Sequence, residues 1–365
     1  MNSVVELCQA LVQIPSENPN SAPSSQGEGP LAEFVGDFLA RHGAEVTYED
    51  ISPGRPNVCG WFKHCNSGPR LLLAPHLDTV PGAGMTIDPF AGEIREGRIY
   101  GRGASDTKGT MAAMLWAITQ TDVSRLHAQV GFIGLMDEEM DQLGSIAAAK
   151  TQSADLVIAG EPTDLNVVYT HKGTCWLRLE AIGKAAHGSL PEHGINAIDA
   201  LTAAYRNLRT AFPNLCRAED KPLLGPPTFS IGKISGGTKI NVVPDRASAE
   251  IDIRTLPGQE GMLQSVRAFL AENHPAVAVH PIKISHPLYC DPNNPLIQRF
   301  VAQGSQLKGA TWFCDAAFFA AAGIPSIALG PGSIQQAHTA DEYIAIADLE
   351  AGAAFFQRYL EGFTS

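Results

Sequence analysis

The chain has 365 residues, of which 44% are apolar and 18% charged, and its formal net charge is −12. This composition is typical of a folded globular protein and excludes a disordered chain. The acidic balance argues against nucleic acid or an anionic membrane as the main partner, and no apolar run is long enough to predict a membrane span.

The cysteine usage indicates a reducing compartment. The chain has 7 cysteines, an odd number, and no two of them form a Cys-x-x-Cys pair. This argues against a disulfide framework or a thiolate zinc site and favours the cytoplasm. The N-terminus has no basic segment followed by a long apolar core, so we expect no signal peptide.

Two amphipathic helices are predicted first along the chain. Residues 3–14 carry apolar side chains at helical spacing, with Ser3 as the N-cap. Residues 31–42 repeat this pattern, with their apolar side chains on one face. Residues 16–29 between them are rich in Ser, Asn, Pro and Gly, which predicts a loop.

Four short apolar segments are predicted to be buried strands of a mainly parallel sheet flanked by helices. They begin at Leu71 and at residues 130, 155 and 324. Each is followed by acids or a histidine, and the carboxyl ends of parallel strands form the ligand sites of open α/β sheets. These side chains, with one acid from a Gly-rich loop, are His76, Asp78, Asp106, Glu138, Glu139, Glu161 and His338.

A change of pattern indicates an inserted domain. Between residues 173 and 285 the predicted order is β-α-β-β-α-β, the ferredoxin-like arrangement. We therefore predict an α/β protein with a discontinuous catalytic domain, residues 1–172 and 286–365, and an inserted domain, residues 173–285.

The recurring ligand types predict a metal site. A single His-x-Asp pair is usually a local hydrogen bond, but the same residue types after four buried strands favour a metal. His, Asp and Glu without thiolates suit Zn²⁺, with Co²⁺ or Mn²⁺ as substitutes. A carboxylate between two ligand pairs can bridge two ions. One of the adjacent Glu138 and Glu139 can bind metal while the other is a general base, and the residues alone leave the choice open.

Five ordered motifs resemble the co-catalytic zinc peptidase family, which includes acetylornithine deacetylase, succinyl-diaminopimelate desuccinylase and aminoacylase. They are His76-x-Asp78-x-Val80-Pro81, Gly101-Arg102-Gly103-x-x-Asp106-x-Lys108-Gly109, Glu138-Glu139, Gly160-Glu161-Pro162-Thr163 and Gly330-Pro331-Gly332-Ser333-x-x-x-Ala337-His338. The resemblance implies two divalent ions, one bound by His76, Asp106 and Glu161 and the other by Asp106, Glu139 and His338. It also implies that Glu138 is the general base and that Asp78 orients His76.

The resemblance extends to the inserted domain. It implies that the protein is a homodimer and that this domain serves for dimerisation and as a lid. Arg254 would clamp the substrate carboxylate, since a guanidinium binds carboxylates bidentately. His187 would donate to the developing oxyanion from the partner subunit, and Asn241 would belong to the same cluster.

The predicted function is metal-dependent hydrolysis of the amide bond of an N-acyl-L-amino acid, as in acetylornithine deacetylase, with this small molecule as the partner. The segment 236–244 looks more like desuccinylase and carboxypeptidase members, so these activities stay open as alternatives. A non-catalytic metal- or ligand-binding protein is the alternative of another class. Glu138 counts against it, because a binding protein needs no base.

Overall fold

A computed structural model describes residues 1–62, 68–216 and 223–364. The chain divides into two compact units. The first comprises Met1–Tyr169, Cys290–Lys308 and Cys314–Ser365, and the second comprises Thr170–Tyr289 and Gly309–Phe313. The predicted inserted domain, residues 173–285, is three or four residues shorter at each end than the main segment of the second unit. The prediction did not include the segment 309–313 in this unit. No helix in the described ranges is long and apolar enough to cross a membrane.

Strands and helices alternate along the described residues. The strands are β1 (Glu45–Ser52), β2 (Arg55–Phe62), β3 (Arg70–Pro75), β4 (Glu93–Arg95), β5 (Arg98–Tyr100), β6 (Gln129–Gly134), β7 (Leu156–Gly160), β8 (Val167–His171), β9 (Gly173–Ile182), β10 (Thr228–Gly236), β11 (Arg246–Thr255), β12 (Val277–Ser285), β13 (Leu288–Tyr289), β14 (Leu307–Ala310), β15 (Ser326–Ala328) and β16 (Tyr343–Ala345). The helices are α1 (Val4–Val12), α2 (Gly29–Arg41), α3 (Lys108–Gln120), α4 (Leu143–Thr151), α5 (Ala197–Leu215), α6 (Met262–Asn273), α7 (Pro295–Ala302), α8 (Ala316–Ala321) and α9 (Ile346–Glu361). Short 3₁₀ helices cover Val123–Arg125, Pro191–His193 and Ile334–Gln336.

A large mixed sheet carries the ligand-bearing strands. Its strand order is β1-β2-β6-β3-β7-β15-β8-β13, with β14 paired to β8. The four predicted buried strands are its neighbours β6, β3, β7 and β15, and they are parallel. Their carboxyl ends therefore lie along one edge of the sheet, which confirms the predicted parallel core.

Both faces of this sheet are covered by helices, because alternate side chains of its strands point to opposite faces. In β3, Leu71 and Leu73 join a core with α1, α2, α3 and α9, whereas Leu72 and Ala74 join a core with α4 and α8. This two-sided burial is why the strand is apolar throughout. The Ser3 side chain accepts from the Glu6 backbone N–H, which confirms the predicted N-cap of α1.

Several antiparallel elements of the first unit were not predicted. β1 and β2 form a hairpin at one end of the large sheet, and β16, β5 and β4 form a small separate sheet. β1 is mostly exposed or half-buried and mixes charged with apolar residues, so it lacks the apolar run that marked the parallel strands.

The second unit contains an antiparallel sheet of order β10-β11-β9-β12. Its elements follow the chain order β9, α5, β10, β11, α6, β12, as the ferredoxin-like prediction requires. Buried and half-buried residues alternate along β11, because α5 and α6 cover only one face of the sheet. Leu177, Leu179, Ile251 and Ile253 form the centre of this smaller core.

Candidate metal centre

The predicted ligands converge at the carboxyl edge of the parallel strands in the first unit. His76 directly follows β3, Glu161 directly follows β7, and Glu138 and Glu139 lie a few residues beyond β6. His338 comes from the loop beyond β15, and Asp106 lies in the loop just before α3.

The Asp106 carboxylate lies between the two histidines. Its Oδ1 is 3.1 Å from His76 Nε2, and its Oδ2 is 3.5 Å from His338 Nε2. The Glu139 carboxylate also contacts His338, with its Oε1 3.1 Å from His338 Nε2. Each oxygen of one carboxylate therefore faces a different imidazole, which is the arrangement that a bridging ligand requires.

The donor set fits a divalent cation. Ligand atoms of His76, Asp106 and Glu139 all lie within 4.8 Å of one another, and His338 contacts two of these residues. Glu161 is 5% exposed, and after burial the charge of Asp106 is the largest cause of its raised pKa. Imidazole and carboxylate without thiolate is the donor chemistry of zinc and of manganese or cobalt sites.

The electrostatics of the cluster also favour a bound cation. Burial raises the pKa of Glu138, Glu139 and Glu161, and the negative charges of their neighbours raise it further. Burial lowers the pKa of His76, but its contacts with Asp106 and Asp78 outweigh burial and leave the pKa well above the usual value. The hydrogen bond that the His338 imidazole donates to the Glu139 carboxylate raises the pKa of His338. A divalent ion would offset this excess of negative charge.

Glu138 and Glu139 have different surroundings. The Glu139 carboxylate contacts His338, whereas no donor within the described residues hydrogen-bonds the Glu138 carboxylate. Both backbone N–H groups donate to Asp78, at 2.9 Å from Glu138 and 3.1 Å from Glu139. Asp78 therefore fixes the turn that separates the two carboxylates.

The contact between Asp78 and His76 differs in detail from the expected carboxylate–imidazole hydrogen bond. His76 Nδ1 is 2.9 Å from the backbone carbonyl oxygen of Asp78 and 3.6 Å from its carboxylate Oδ1. The backbone oxygen accepts the hydrogen bond, and the carboxylate acts on the imidazole through its charge. Residue 78 thus orients His76 mainly through its main chain.

A buried polar network beneath the Glu138 turn escaped the sequence analysis. Asn18 donates to both Asp78 and Asp137 at 2.8 Å. Arg55 donates to Asp137 at 3.0 Å and forms a bidentate pair with Glu28. These residues come from distant parts of the chain, and the polar composition around Asn18 indicated only a loop.

Asp315 is a further residue near the site that no sequence pattern indicated. Its Oδ1 accepts from Ser145 Oγ at 2.5 Å, and burial raises its pKa to about 7. Its negative charge helps to raise the pKa of Glu138 and Glu161. No local pattern marks Asp315 in the sequence, because it is a single acidic residue before the short apolar helix α8.

The predicted substrate residues lie in the second unit. The backbone segments that carry His187 and Asn241 are paired. His187 forms an isolated antiparallel β-bridge with Val242, and the Gly188 N–H donates to the Asn241 carbonyl oxygen at 2.8 Å. His187 and Asn241 are both exposed, and His187 Nδ1 is 2.7 Å from Ser189 Oγ. Arg254 is separate from this pair.

Arg254 has partners within its own sheet. Its Nε lies 3.0 Å from Asp252 Oδ1, and its Nη1 donates to Thr174 Oγ1 at 3.2 Å. Its side chain is 32% exposed, so part of the guanidinium faces solvent. Burial lowers the pKa of Lys172, and the Arg254 charge lowers it further, so a second cation lies in the same region.

Comparison with known proteins identifies the family. Residues 72–362 match peptidase family M20/M25/M40. The chain is 31% identical to the acetylornithine deacetylase of Proteus mirabilis (strain HI4320), across 98% of this chain and 96% of that protein.

Solved structures share the fold. Aminopeptidase PepT from Bacillus cereus ATCC 10987 has a TM-score of 0.78 at 20% identity, with 98% of this chain and 97% of that one covered. An M20 family metallo-carboxypeptidase from Sulfolobus solfataricus has a TM-score of 0.76 at 20% identity, with 99% of each chain covered. The chain belongs to peptidase family M20/M25/M40.

Family membership decides the class of activity. The protein is an enzyme, a hydrolase that cleaves amide bonds with the help of metal. The predictions of the family, of an α/β fold and of a metal-dependent amide hydrolase are thereby confirmed. The same finding favours an enzyme over the alternative of another class, a purely binding protein.

Proposed function

We propose that this protein removes the acyl group from an N-acyl-L-amino acid, with an N-acetyl amino acid such as acetylornithine preferred. The observation that carries the proposal is the Asp106 carboxylate, which faces His76 with one oxygen and His338 with the other. The deacetylase from Proteus mirabilis supports the choice of acyl group, because it is similar to this chain over nearly its whole length.

In this proposal, two divalent ions bind at the cluster, with Zn²⁺ preferred and Co²⁺ or Mn²⁺ as substitutes. His76, Asp106 and Glu161 would hold one ion, and Asp106, Glu139 and His338 the other. Such ions supply Lewis acidity, which polarises a carbonyl group and lowers the pKa of water. The close contacts of Asp106 with both histidines support its role as the shared ligand.

Glu138 would act as the general base in this reaction. Its carboxylate is free to take a proton from the attacking water and return it to the amide nitrogen as the C–N bond breaks. The absence of a hydrogen-bond donor to this carboxylate among the described residues supports the assignment, because a base must be available to its substrate. The Asp78 contacts to the backbone of the Glu138 turn would keep the base in position.

Arg254 would bind the α-carboxylate of the substrate, and His187, with Asn241 beside it, would donate to the carbonyl oxygen as negative charge develops there. The partly exposed guanidinium of Arg254 and the exposed position of His187 support these roles. The second unit would serve as the lid and dimerisation domain that delivers them.

We further propose a homodimer formed through the second unit. Several large apolar side chains close in sequence to His187 or Asn241 are exposed, and exposed apolar patches are typical of interaction surfaces. They are Ile182, Leu190, Ile195, Ile234 and Ile240. A second copy is the proposed occupant, because His187 would then act at the partner's metal centre.

We also propose that the enzyme works in the cytoplasm. Cys8, Cys59, Cys175, Cys216, Cys290 and Cys314 are free and buried, and Cys65 lies outside the described residues. Free cysteines in this number are typical of a reducing compartment.

The test is a metal-replacement assay. The purified protein is treated with a chelator, dialysed, and supplied with Zn²⁺, Co²⁺ or Mn²⁺ before it is screened against N-acetyl and N-succinyl amino acids and dipeptides. We expect metal-dependent release of acetate from N-acetyl-L-amino acids, with N-acetyl-D-amino acids as the matched control. Full activity without metal, or a preference for succinyl substrates or dipeptides, would overturn the proposal.

A further inference from the structure

A buried carboxylate lies behind the loop that carries Asp106. Glu342, just before β16, is fully buried. Its Oε1 accepts from the backbone N–H groups of Ser105 and Asp106, at 2.9 and 3.0 Å. Its Oε2 accepts from the Gly103 N–H at 3.1 Å and from Arg102 Nη1 at 2.7 Å. One side chain therefore satisfies three backbone donors and a guanidinium.

The backbone conformation of the loop explains this contact. Successive N–H groups that point into one concavity form an anion-binding nest, and here the anion is the Glu342 side chain. Gly103 makes the turn possible, since its φ is +83° and a Cβ there would lie 2.9 Å from Thr79 Cγ2. The Glu342 backbone carbonyl adds a further anchor, because it accepts from the Gly101 N–H at 3.0 Å.

This contact bears directly on the metal centre. The Asp106 N–H is held by Glu342, while the Asp106 carboxylate faces His76 and His338. Because the same residue makes both contacts, a change in the loop backbone moves the carboxylate. Residues behind metal ligands typically change metal affinity by about 10–100-fold when they are replaced.

We propose that Glu342 is a positioning residue for the metal centre, which holds the Asp106 loop so that one carboxylate can face both ions. The inference rests on the proposed function, because it needs ions at Asp106. Glu342 itself does not touch the ions or the substrate. Its side chain acts through the loop backbone.

The experiment measures ion binding and not turnover alone. Zn²⁺ affinity is determined by competition with a chromophoric chelator for the wild type, Glu342→Gln and Glu342→Ala. The visible spectrum of the Co²⁺-loaded protein reports the ligand geometry. Glu350→Gln is the matched control, because Glu350 is exposed on the following helix α9 and the variant removes the same charge.

We expect Glu342→Gln to weaken ion binding by about 10–100-fold and to alter the Co²⁺ spectrum. The glutamine amide presents N–H donors where Gly103 and Arg102 already donate, so half of the nest is lost. Glu350→Gln should match the wild type within about twofold, the effect usual for an exposed surface site. If Glu342→Ala does not fold, the glutamine variant decides, because its side chain has nearly the same shape.

A merely structural role gives a different result. Thermal unfolding of the metal-free proteins would then show a lower midpoint for Glu342→Gln, while the folded variant kept the wild-type ion affinity and Co²⁺ spectrum. That outcome overturns the inference alone. A wild-type protein that binds no divalent ion overturns the proposed function, and the inference with it.

Discussion

Replacement of Glu138 by glutamine tests whether Glu138 is the general base while the adjacent Glu139 binds metal. The change keeps the shape of the side chain and removes its ability to take a proton. Because no described residue donates a hydrogen bond to the Glu138 carboxylate, the variant breaks no side-chain contact. The contacts of its backbone N–H with Asp78 stay in place.

The expected loss follows from these contacts. Loss of a general base lowers kcat by about 10²–10⁴-fold, which corresponds to about 2.7–5.4 kcal/mol of transition-state stabilisation. Metal content should be unchanged, because Glu138 is not among the proposed ligands and its carboxylate, unlike that of Glu139, does not contact His338. The metal-free variant should unfold at the wild-type temperature or above it, because the change removes one buried negative charge from an acidic cluster.

Glu139→Gln is the matched control for this prediction. The Glu139 carboxylate lies 3.1 Å from His338 Nε2 and belongs to the ligand group, so this variant should lose metal affinity. Steady-state kinetics with saturating Zn²⁺ and elemental analysis of both variants provide the comparison. If Glu138→Gln loses metal and Glu139→Gln retains it, the two roles are reversed and the reasoning is refuted.

Two further predictions concern the second unit. Arg254→Ala should raise KM for N-acyl amino acids and lower kcat. Arg254→Lys should restore little of this activity, because an ammonium cannot form the paired contact of a guanidinium. Equal losses on a substrate with an amidated carboxylate would indicate a folding defect instead. His187→Ala should keep metal and substrate affinity and lose most turnover. Mixed with inactive Glu138→Gln subunits, it should restore about a quarter of wild-type activity, since half of the dimers contain one intact site of two. Exchange of subunits without recovery of activity would show that His187 does not act across the dimer.

The sequence was sufficient for the architecture of the parallel core. Each central strand is buried on both faces, so it must be apolar throughout, and such a run is visible in a single sequence. β3, β6, β7 and β15 were all found in this way, and the residues after them were named as ligands. The carboxyl edge of a parallel sheet is a property of the fold, so strand prediction also located the candidate site.

The sequence was less informative where burial is one-sided or partial. β1 has only exposed and half-buried residues, and β4 and β5 are three residues each. An exposed strand and strands of three residues contain no apolar run long enough to recognise, so no local pattern marked them. The segment 309–313 belongs to the second unit although it is distant from the rest of that unit in the chain. Such a grouping depends on tertiary contacts, which no local pattern reveals.

Only the tertiary structure decided how the site residues are held. The orientation of the Asp106 carboxylate depends on His76, which is 30 positions away in the chain, and on His338, which belongs to a distant loop beyond β15. The Glu342 contact to the Asp106 loop joins residues that are 236 positions apart. The different surroundings of Glu138 and Glu139 likewise depend on His338, from another loop. A sequence states which side chains are available, and local patterns place them at strand ends. Directional contacts between distant side chains depend on packing, which brings together groups that no local pattern relates.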